Sequence, residues 1–422
     1  MKGWSKRSIG DIAKVTSSKR IFLSDYVGFG VPFWRSKEVI EQFNGKDVST
    51  ELFIAQERYN EIKAKFGVPT KGDILLTSVG TVGVPHLVRN DSPFYFKDGN
   101  LTWVKDIIAE VEPYYIYLWL SSNVGQKEIQ NNLIGSSQKA LTIDSLKKIK
   151  IFLPPLTTQK KIAGILLAYD DAIENNLRAL KLLEEMAQIT YEEWFVRLRF
   201  PGHTTTPINK TTGLPEGWAI KKLGEVTDLI KRGISPQYVE VDGITVINQK
   251  CVRSHRVDLS VARQTSKNKK VPDEKFLKKY DVLINSTGTG TLGRVAQYFF
   301  ERSPTTVDSH VTIIRASSKI SSLYLGRFIE RNESYLEQLG KGATNQKELS
   351  ATDLSAVVEV LVPSSDLQDK YHQYCEFIFE EVTSLSAQNI ILREARDILL
   401  PRLMTGVIDA EKYQPENFLK KN

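Results

Sequence analysis

The longest regular pattern in the chain begins after Pro154-Pro155 and runs to Pro201, with one interior glycine, Gly164. Alternate steps of four and three pick out Ile162, Leu166, Tyr169, Ile173, Asn176, Leu180, Leu183, Ala187, Thr190 and Trp194. That spacing keeps one apolar stripe on one face and predicts a long coiled-coil helix. The same steps recur after Pro363, through Tyr371, Cys375, Ile378, Val382, Leu385, Asn389, Leu392, Arg396, Leu399 and Leu403. Ten such layers span roughly 45–50 Å at about 1.5 Å per residue. Asn176 is the fifth layer of its helix and Asn389 the sixth of its own. Only an antiparallel pairing brings those layers together, so the two asparagines predict an antiparallel coil with a polar pair setting its register.

Each helix follows a segment of short β-branched runs and polar stretches. Asp73–Thr77, Leu101–Val104, Asp281–Asn285 and Val311–Ile314 predict strands, and Ala55–Lys65 and Tyr114–Asn131 predict helices. The two segments are copies of one another. Gly3–Ile12 matches Gly217–Val226, Val31–Val39 matches Ile244–Val252, and Lys71–Thr81 matches Lys279–Thr289. Ser136–Leu141 matches Thr344–Leu349, and Ile149–Pro154 matches Val358–Pro363. The expected architecture is α+β: two duplicated mixed α/β domains joined by two long helices that form an antiparallel coiled coil. The segments are 1–153 and 217–362 for the domains and 154–200 and 363–408 for the helices. A Thr-, Pro- and Gly-rich linker covers 201–216 and a polar tail covers 409–422.

Composition is that of an ordinary globular protein, 41% apolar and 25% charged. No apolar run is long enough to span a membrane, and the first residues lack a signal-peptide core, so a cytoplasmic protein is expected. Two cysteines, Cys251 and Cys375, make no disulfide framework, and five scattered histidines make no zinc site. Charge is more telling. Residues 1–153 and 214–362 each carry a net +5, whereas 154–213 carry 0 and 363–422 carry −3. A polyanion meeting two matched faces accounts for that division.

Catalytic motifs are missing: no P-loop, HExxH or GxSxG occurs, nor the Asn/Asp-Pro-Pro-aromatic run of adenine methyltransferases. Gly288-Thr289-Gly290-Thr291-Leu292-Gly293 has dinucleotide-binding spacing, but the β-rich run after it predicts a hairpin-like turn. His310, after Asp308-Ser309, reads as structural, because its counterpart segment Asp98-Gly99-Asn100 has neither Ser nor His. The candidate DNA-binding residues lie in recurring loops. In the first domain they are Arg35, Ser36, Lys37, Thr77, Ser78, Ser137, Gln138 and Lys139. In the second they are Asn248, Gln249, Lys250, Ser286, Thr287, Asn345, Gln346 and Lys347. Hydroxyls beside glycines can donate to phosphate, Asn and Gln can pair with adenine, and Lys can reach guanine or phosphate. The candidate helix–helix and subunit interface is Ile162, Leu166, Tyr169, Ile173, Asn176, Leu180 and Leu183 with Val382, Leu385, Asn389, Leu392 and Leu399. Two DNA-reading heads on a rigid coil, differing in their loops, predict an asymmetric target in two halves.

In these features the chain resembles a specificity subunit of a type I restriction–modification system over nearly its whole length. The resemblance rests on Gly3-Trp4 leading to Ile9-Gly10-Asp11, repeated as Leu223-Gly224-Glu225, and on Leu153-Pro154-Pro155-Leu156 before Gln159-Lys160-Lys161-Ile162-Ala163. Trp194-Phe195-Val196, Leu214-Pro215-Glu216-Gly217-Trp218 and Leu399-Leu400-Pro401-Arg402-Leu403-Met404-Thr405-Gly406 complete it. The second helix departs at its start, with Ser364-Ser365-Asp366 where the first has Pro155-Leu156-Thr157. The resemblance implies two target-recognition domains on two conserved helical spacers. It implies two modification subunits that methylate adenine N6 with S-adenosylmethionine, and two restriction subunits that use ATP and Mg. This chain would then bind no cofactor and catalyse nothing. The competing expectations are a DNA-binding coiled-coil scaffold unrelated to restriction and, more weakly, a nucleotide-dependent enzyme built on Gly288–Gly293.

Overall fold

The pattern after Pro154 is one continuous helix, α1 (Leu156–Tyr191), and its counterpart is α2 (Ser365–Met404), in a computed structural model that describes residues 3–45, 48, 50–136, 138–301, 304–342 and 347–413. The chain divides into two units. One comprises the residues up to Asn176 with those from Gln388 onward, and the other is Leu177–Ala387. The division cuts both long helices, so each unit holds one domain and a length of α1 beside a length of α2.

In both units the helices run antiparallel. In the first, Asp170 of α1 binds Arg396 of α2 at 2.9 Å, and six residues further along α1 Asn176 Nδ2 donates to Asn389 Oδ1 at 3.0 Å. In the second, Tyr191 and Trp194 pack on Tyr371. The layers that the 4–3 spacing selects are all buried or half-buried. They also join the cores of the domains: Ile162, Leu166, Leu399 and Leu403 pack with Tyr115, Leu118 and Ile151, and Ala187, Tyr371 and Cys375 pack with Leu323, Tyr324 and Val360. α1 ends in a wider turn in which Arg197 N donates to Glu192 O, followed by Leu198 at φ 57°. Pro401 lies in the last turn of α2, where it removes one backbone bond just before the helix ends at Met404, and Gly406 (φ 67°) follows.

Each unit contains the same two sheets. In the first, antiparallel strands stand in the order Lys14–Thr16, Leu101–Lys105, Ile74–Thr77, Pro85–Leu87. Ile74–Thr77 is wholly buried, as its run of branched residues requires. The second sheet is Tyr26–Val27, Phe53–Ile54, Val31–Trp34 and Tyr95–Phe96, the last pair parallel. The second unit repeats this with Thr227–Arg232, Val311–Ala316, Val282–Asn285 and Val295–Gln297, and with Tyr238–Val239, Arg263–Thr265, Ile244–Ile247 and Thr305–Val307. Val295–Gln297 pairs back on Val282–Ile284, so Gly288–Gly293 is a hairpin connection and opens no helix. The expected helix Tyr114–Asn131 is two, Pro113–Ser121 and Asn123–Asn131. Ser122 breaks it by capping the second, its hydroxyl accepting from Gly125 N at 3.2 Å. Gly125 packs so closely that a Cβ would stand 2.0 Å from Trp119 O.

A matched pair of glutamines ties each domain to the helix that follows it. Gln159 is buried; its Nε2 donates to Pro154 O (2.8 Å) and its Oε1 accepts from Glu112 N (3.0 Å). Gln368 does the same with Pro363 O (2.8 Å) and Ser321 N (2.7 Å). Beyond this clasp the two joints differ. In the first unit Arg89 reaches Asp171 (3.0 Å), Glu174 (3.3 Å) and Asp170 (3.7 Å) on α1, and the Tyr114 hydroxyl donates to Asp170. In the second, Phe299 stacks on Phe379 of α2 at 4.5 Å between centroids.

Replacing the buried Gln368 with Ala leaves the half-buried Ser321 N–H without its partner, which costs about 1 kcal/mol. The thermal midpoint should fall for Gln368→Ala and for Gln159→Ala. Substitution of the exposed neighbour Lys370 should leave it unchanged within about 0.5 kcal/mol.

Candidate nucleic-acid interface

The recurring loops converge at one end of the larger sheet in each unit. In the first, the segment after Ile74–Thr77 bridges to the loop 134–140 through Val79 and Ala140. That loop is closed by reciprocal bonds between Ile134 and Ala140 (3.0 and 2.9 Å). Its turn needs Gly135 (φ 100°), where a Cβ would meet Gln138 O at 2.5 Å. Gln138 and Lys139 project from it, exposed. Asn100 joins Ser78 and Ser36: its carbonyl accepts from Ser78 N at 2.8 Å and from Ser36 Oγ at 3.5 Å.

The second unit repeats the arrangement. Thr287 bridges to Glu348, and Lys341 and Glu348 exchange bonds of 3.0 and 2.9 Å. Ser286 N donates to His310 O at 2.8 Å. Gln249 Nε2 reaches Thr287 O (2.5 Å) and Oγ1 (2.7 Å), and Thr287 Oγ1 lies 2.7 Å from His310 Nδ1. Lys250 and Lys347 are exposed nearby in sequence. Arg232 approaches from the adjoining strand and is held by Glu348 at 2.8 Å.

The candidate residues therefore divide by what they touch. Thr77, Ser78 and Ser286 are corrected: all three are buried and their hydroxyls are consumed internally. Thr77 Oγ1 donates to Thr81 O (2.6 Å) and accepts from Val84 N (2.9 Å). Ser78 pairs with Thr102 at 2.6 Å and Ser286 with Thr312 at 2.5 Å, so none presents a donor to phosphate. Arg35 is committed too, paired at 2.7 Å with a fully buried Glu38 at the start of helix Ser36–Phe43. Burial alone would raise the Glu38 carboxyl; the bonds from Arg35 hold it below the usual carboxylate range. Asn248 braces its own turn, accepting from Lys250 N at 2.9 Å. Lys37, Gln138, Lys139, Lys250 and Lys347 are exposed, and Ser36, Gln249 and Thr287 are half-buried with the partners given above. Ser137, Asn345 and Gln346 lie outside the described residues.

The two units keep the same inner residues and differ in the outer ones. Asp73, Ser78 and Thr102 match Asp281, Ser286 and Thr312 by position in the paired strands. On the exposed side Ser36, Val79 and Asn100 stand where Gln249, Thr287 and His310 stand in the second. His310, which sequence alone assigns a structural role, is exposed and belongs to this outer set. Below it Asp308 is buried, which raises its carboxyl above the ordinary range, and its Oδ1 accepts from His310 N at 2.9 Å. Among the described residues no cluster of His, Cys, Asp and Glu could hold a metal, and no helix is long and apolar enough to cross a membrane.

Each of the two units thus offers loops at one end of its larger sheet and packs on antiparallel lengths of α1 and α2. Residues 1–184 match the family described as type I restriction modification DNA specificity domain. The chain is 24% identical to the type I restriction enzyme MjaIX specificity subunit of Methanocaldococcus jannaschii, with 97% of this chain and 95% of that protein covered. It is also 24% identical to the HindI specificity subunit of Haemophilus influenzae, with 97% and 100% covered. The crystal structure of the type I restriction–modification S subunit from M. genitalium shares its fold, with a TM-score of 0.64 and 16% identity over 95% of this chain and 96% of that one. Residues 1–184 therefore match a type I restriction modification DNA specificity domain, and nearly the whole chain is similar to specificity subunits of such systems.

The buried hydroxyl pairs should act on stability and not on recognition. Ser286→Ala leaves Thr312 without its partner and should lower stability by about 1–3 kcal/mol. The DNA sequence preference of the assembled protein, read by competition binding, should not change.

Proposed function

We propose that this chain is the DNA-reading subunit of a type I restriction–modification complex and recognises an asymmetric site in two halves. The domain formed within residues 1–153 reads one half and that within 217–362 reads the other, with the gap between them set by the helical spacers. The observation that carries this reading is the contrast between an inner layer common to both domains and an outer layer that differs. One scaffold presents two sets of polar groups, which is what two different half-sites require. The net +5 on residues 1–153 and on residues 214–362 supports contact with the phosphate backbone.

The helices supply the other half of the role. Leu182, Met186 and Ile189 recur along α1 and are exposed, as are Ile390, Ile391 and Ile398 on α2. Apolar side chains at these spacings on a helix support docking of partner proteins. Two modification subunits would occupy the helical regions and methylate adenine N6, and two restriction subunits would join them. S-adenosylmethionine, ATP and Mg would be bound by those partners, with this chain non-catalytic and the complex cytoplasmic.

The test is a genome-wide map of N6-methyladenine in cells co-expressing this chain with its modification subunit. An asymmetric motif split by a fixed gap is expected. Exchanging residues 217–362 for the second domain of another specificity subunit should change one half-site and leave the other intact. A continuous or palindromic motif would overturn the two-headed reading, and absence of methylation from an assembled complex would favour an unrelated DNA-binding scaffold.

A further inference from the structure

The outer layer of the second unit contains a chain of hydrogen bonds from Gln249 through Thr287 to His310. Gln249 Nε2 stands 2.5 Å from the Thr287 carbonyl oxygen and 2.7 Å from the Thr287 hydroxyl. A carbonyl oxygen only accepts, so the nitrogen of the amide must face it, and the orientation of Gln249 is fixed. The two amide hydrogens then serve the carbonyl and the hydroxyl. The hydroxyl, already accepting, has its own proton to place, and the partner within reach is His310 Nδ1 at 2.7 Å. With that hydroxyl proton directed to Nδ1, the neutral imidazole carries its own proton on Nε2. The backbone of His310 is anchored as well, its carbonyl by Ser286 N (2.8 Å) and its N–H by Asp308 Oδ1 (2.9 Å). One edge of the ring is thus held by the protein, and the residue is exposed.

We propose that His310 is a base-reading residue of the second domain, oriented through Thr287 and Gln249 so that its Nε2–H donates to an acceptor on a base edge in the major groove. The inference rests on the DNA-reading role and assigns a residue to it. A single fixed donor can meet guanine O6 or N7, adenine N7 or thymine O4, and is opposed by the amino group of cytosine. Thr287 and Gln249 act as positioning residues: they set which ring nitrogen carries the proton. The first unit has no such relay, because Ser36, Val79 and Asn100 occupy the corresponding places. The donor therefore belongs to one half-site only.

The experiment compares N6-methyladenine maps for the complex carrying the wild-type chain, His310→Ala and Thr287→Val, with assembly checked by co-purification and affinity by competition binding. His310→Ala is expected to relax one base pair of one half-site, its discrimination falling by roughly ten- to hundredfold, with the gap and the other half-site unchanged. Thr287→Val keeps the side-chain shape and removes the hydroxyl, and should relax the same base pair. A merely structural role for Thr287 would not be confined to that position. An unchanged motif with His310→Ala overturns the proposal while leaving the two-headed reading in place. An unchanged motif with affinity lowered across all sequences also overturns it, since that marks a phosphate contact. If the wild-type complex gives no split motif, it is the DNA-reading role itself that fails.

Discussion

The hydrogen bond between Asn176 and Asn389 is the constraint from which the helix register follows. A polar pair inside an apolar seam is satisfied only when the two amides meet, and any slip would place each against Leu or Ile. Asn389 is almost wholly buried, and its own Nδ2 has no partner in the structure, so the seam retains a polar group at some cost in stability. Around that point the rest is determined by covalent connection. Each domain ends in a strand that runs into a long helix, and a buried glutamine one turn into each helix closes the junction by bonding backbone groups on both sides of it.

Duplication makes the two domains informative about one another. Where both copies carry the same residue in the same bond, as with Ser78 and Thr102 against Ser286 and Thr312, the residue serves the scaffold. Where equivalent corners carry different groups, as with Ser36, Val79 and Asn100 against Gln249, Thr287 and His310, the scaffold does not dictate the choice. Comparison of copies therefore separates folding from recognition within a single chain, through geometry alone.

Much of this was legible in the sequence because long-period patterns survive without knowledge of the fold. The 4–3 seam, the paired asparagines and the ordered repeats each involve many residues and point to one arrangement. Single residues were harder. Ser78 and Ser286 precede glycine-containing turns and so resemble phosphate ligands; that they are buried depends on a threonine more than twenty residues away on a neighbouring strand. Ser122 interrupts a helix because its hydroxyl caps the next one, a local choice that the apolar spacing does not record. His310 was set aside because its counterpart segment has neither Ser nor His, and Gln249 and Thr287 come to it only through the packing of two sheets. Its mismatch with Asn100, in a pair of otherwise similar segments, was the one available signal.

The two joints between domain and helix combine ionic and apolar contacts in different proportions. Arg89 holds a group of carboxylates on α1, an attraction that dissolved ions weaken. Phe299 lies against Phe379, a contact that excluded salts strengthen. The Lys279–Glu380 pair beside that stack has an exposed glutamate and adds little. The second domain also binds α1 through Arg256 and Glu184 and α2 through Tyr280 and Glu376, so dissolved ions loosen part of both joints while the aromatic stack of the second is left in place.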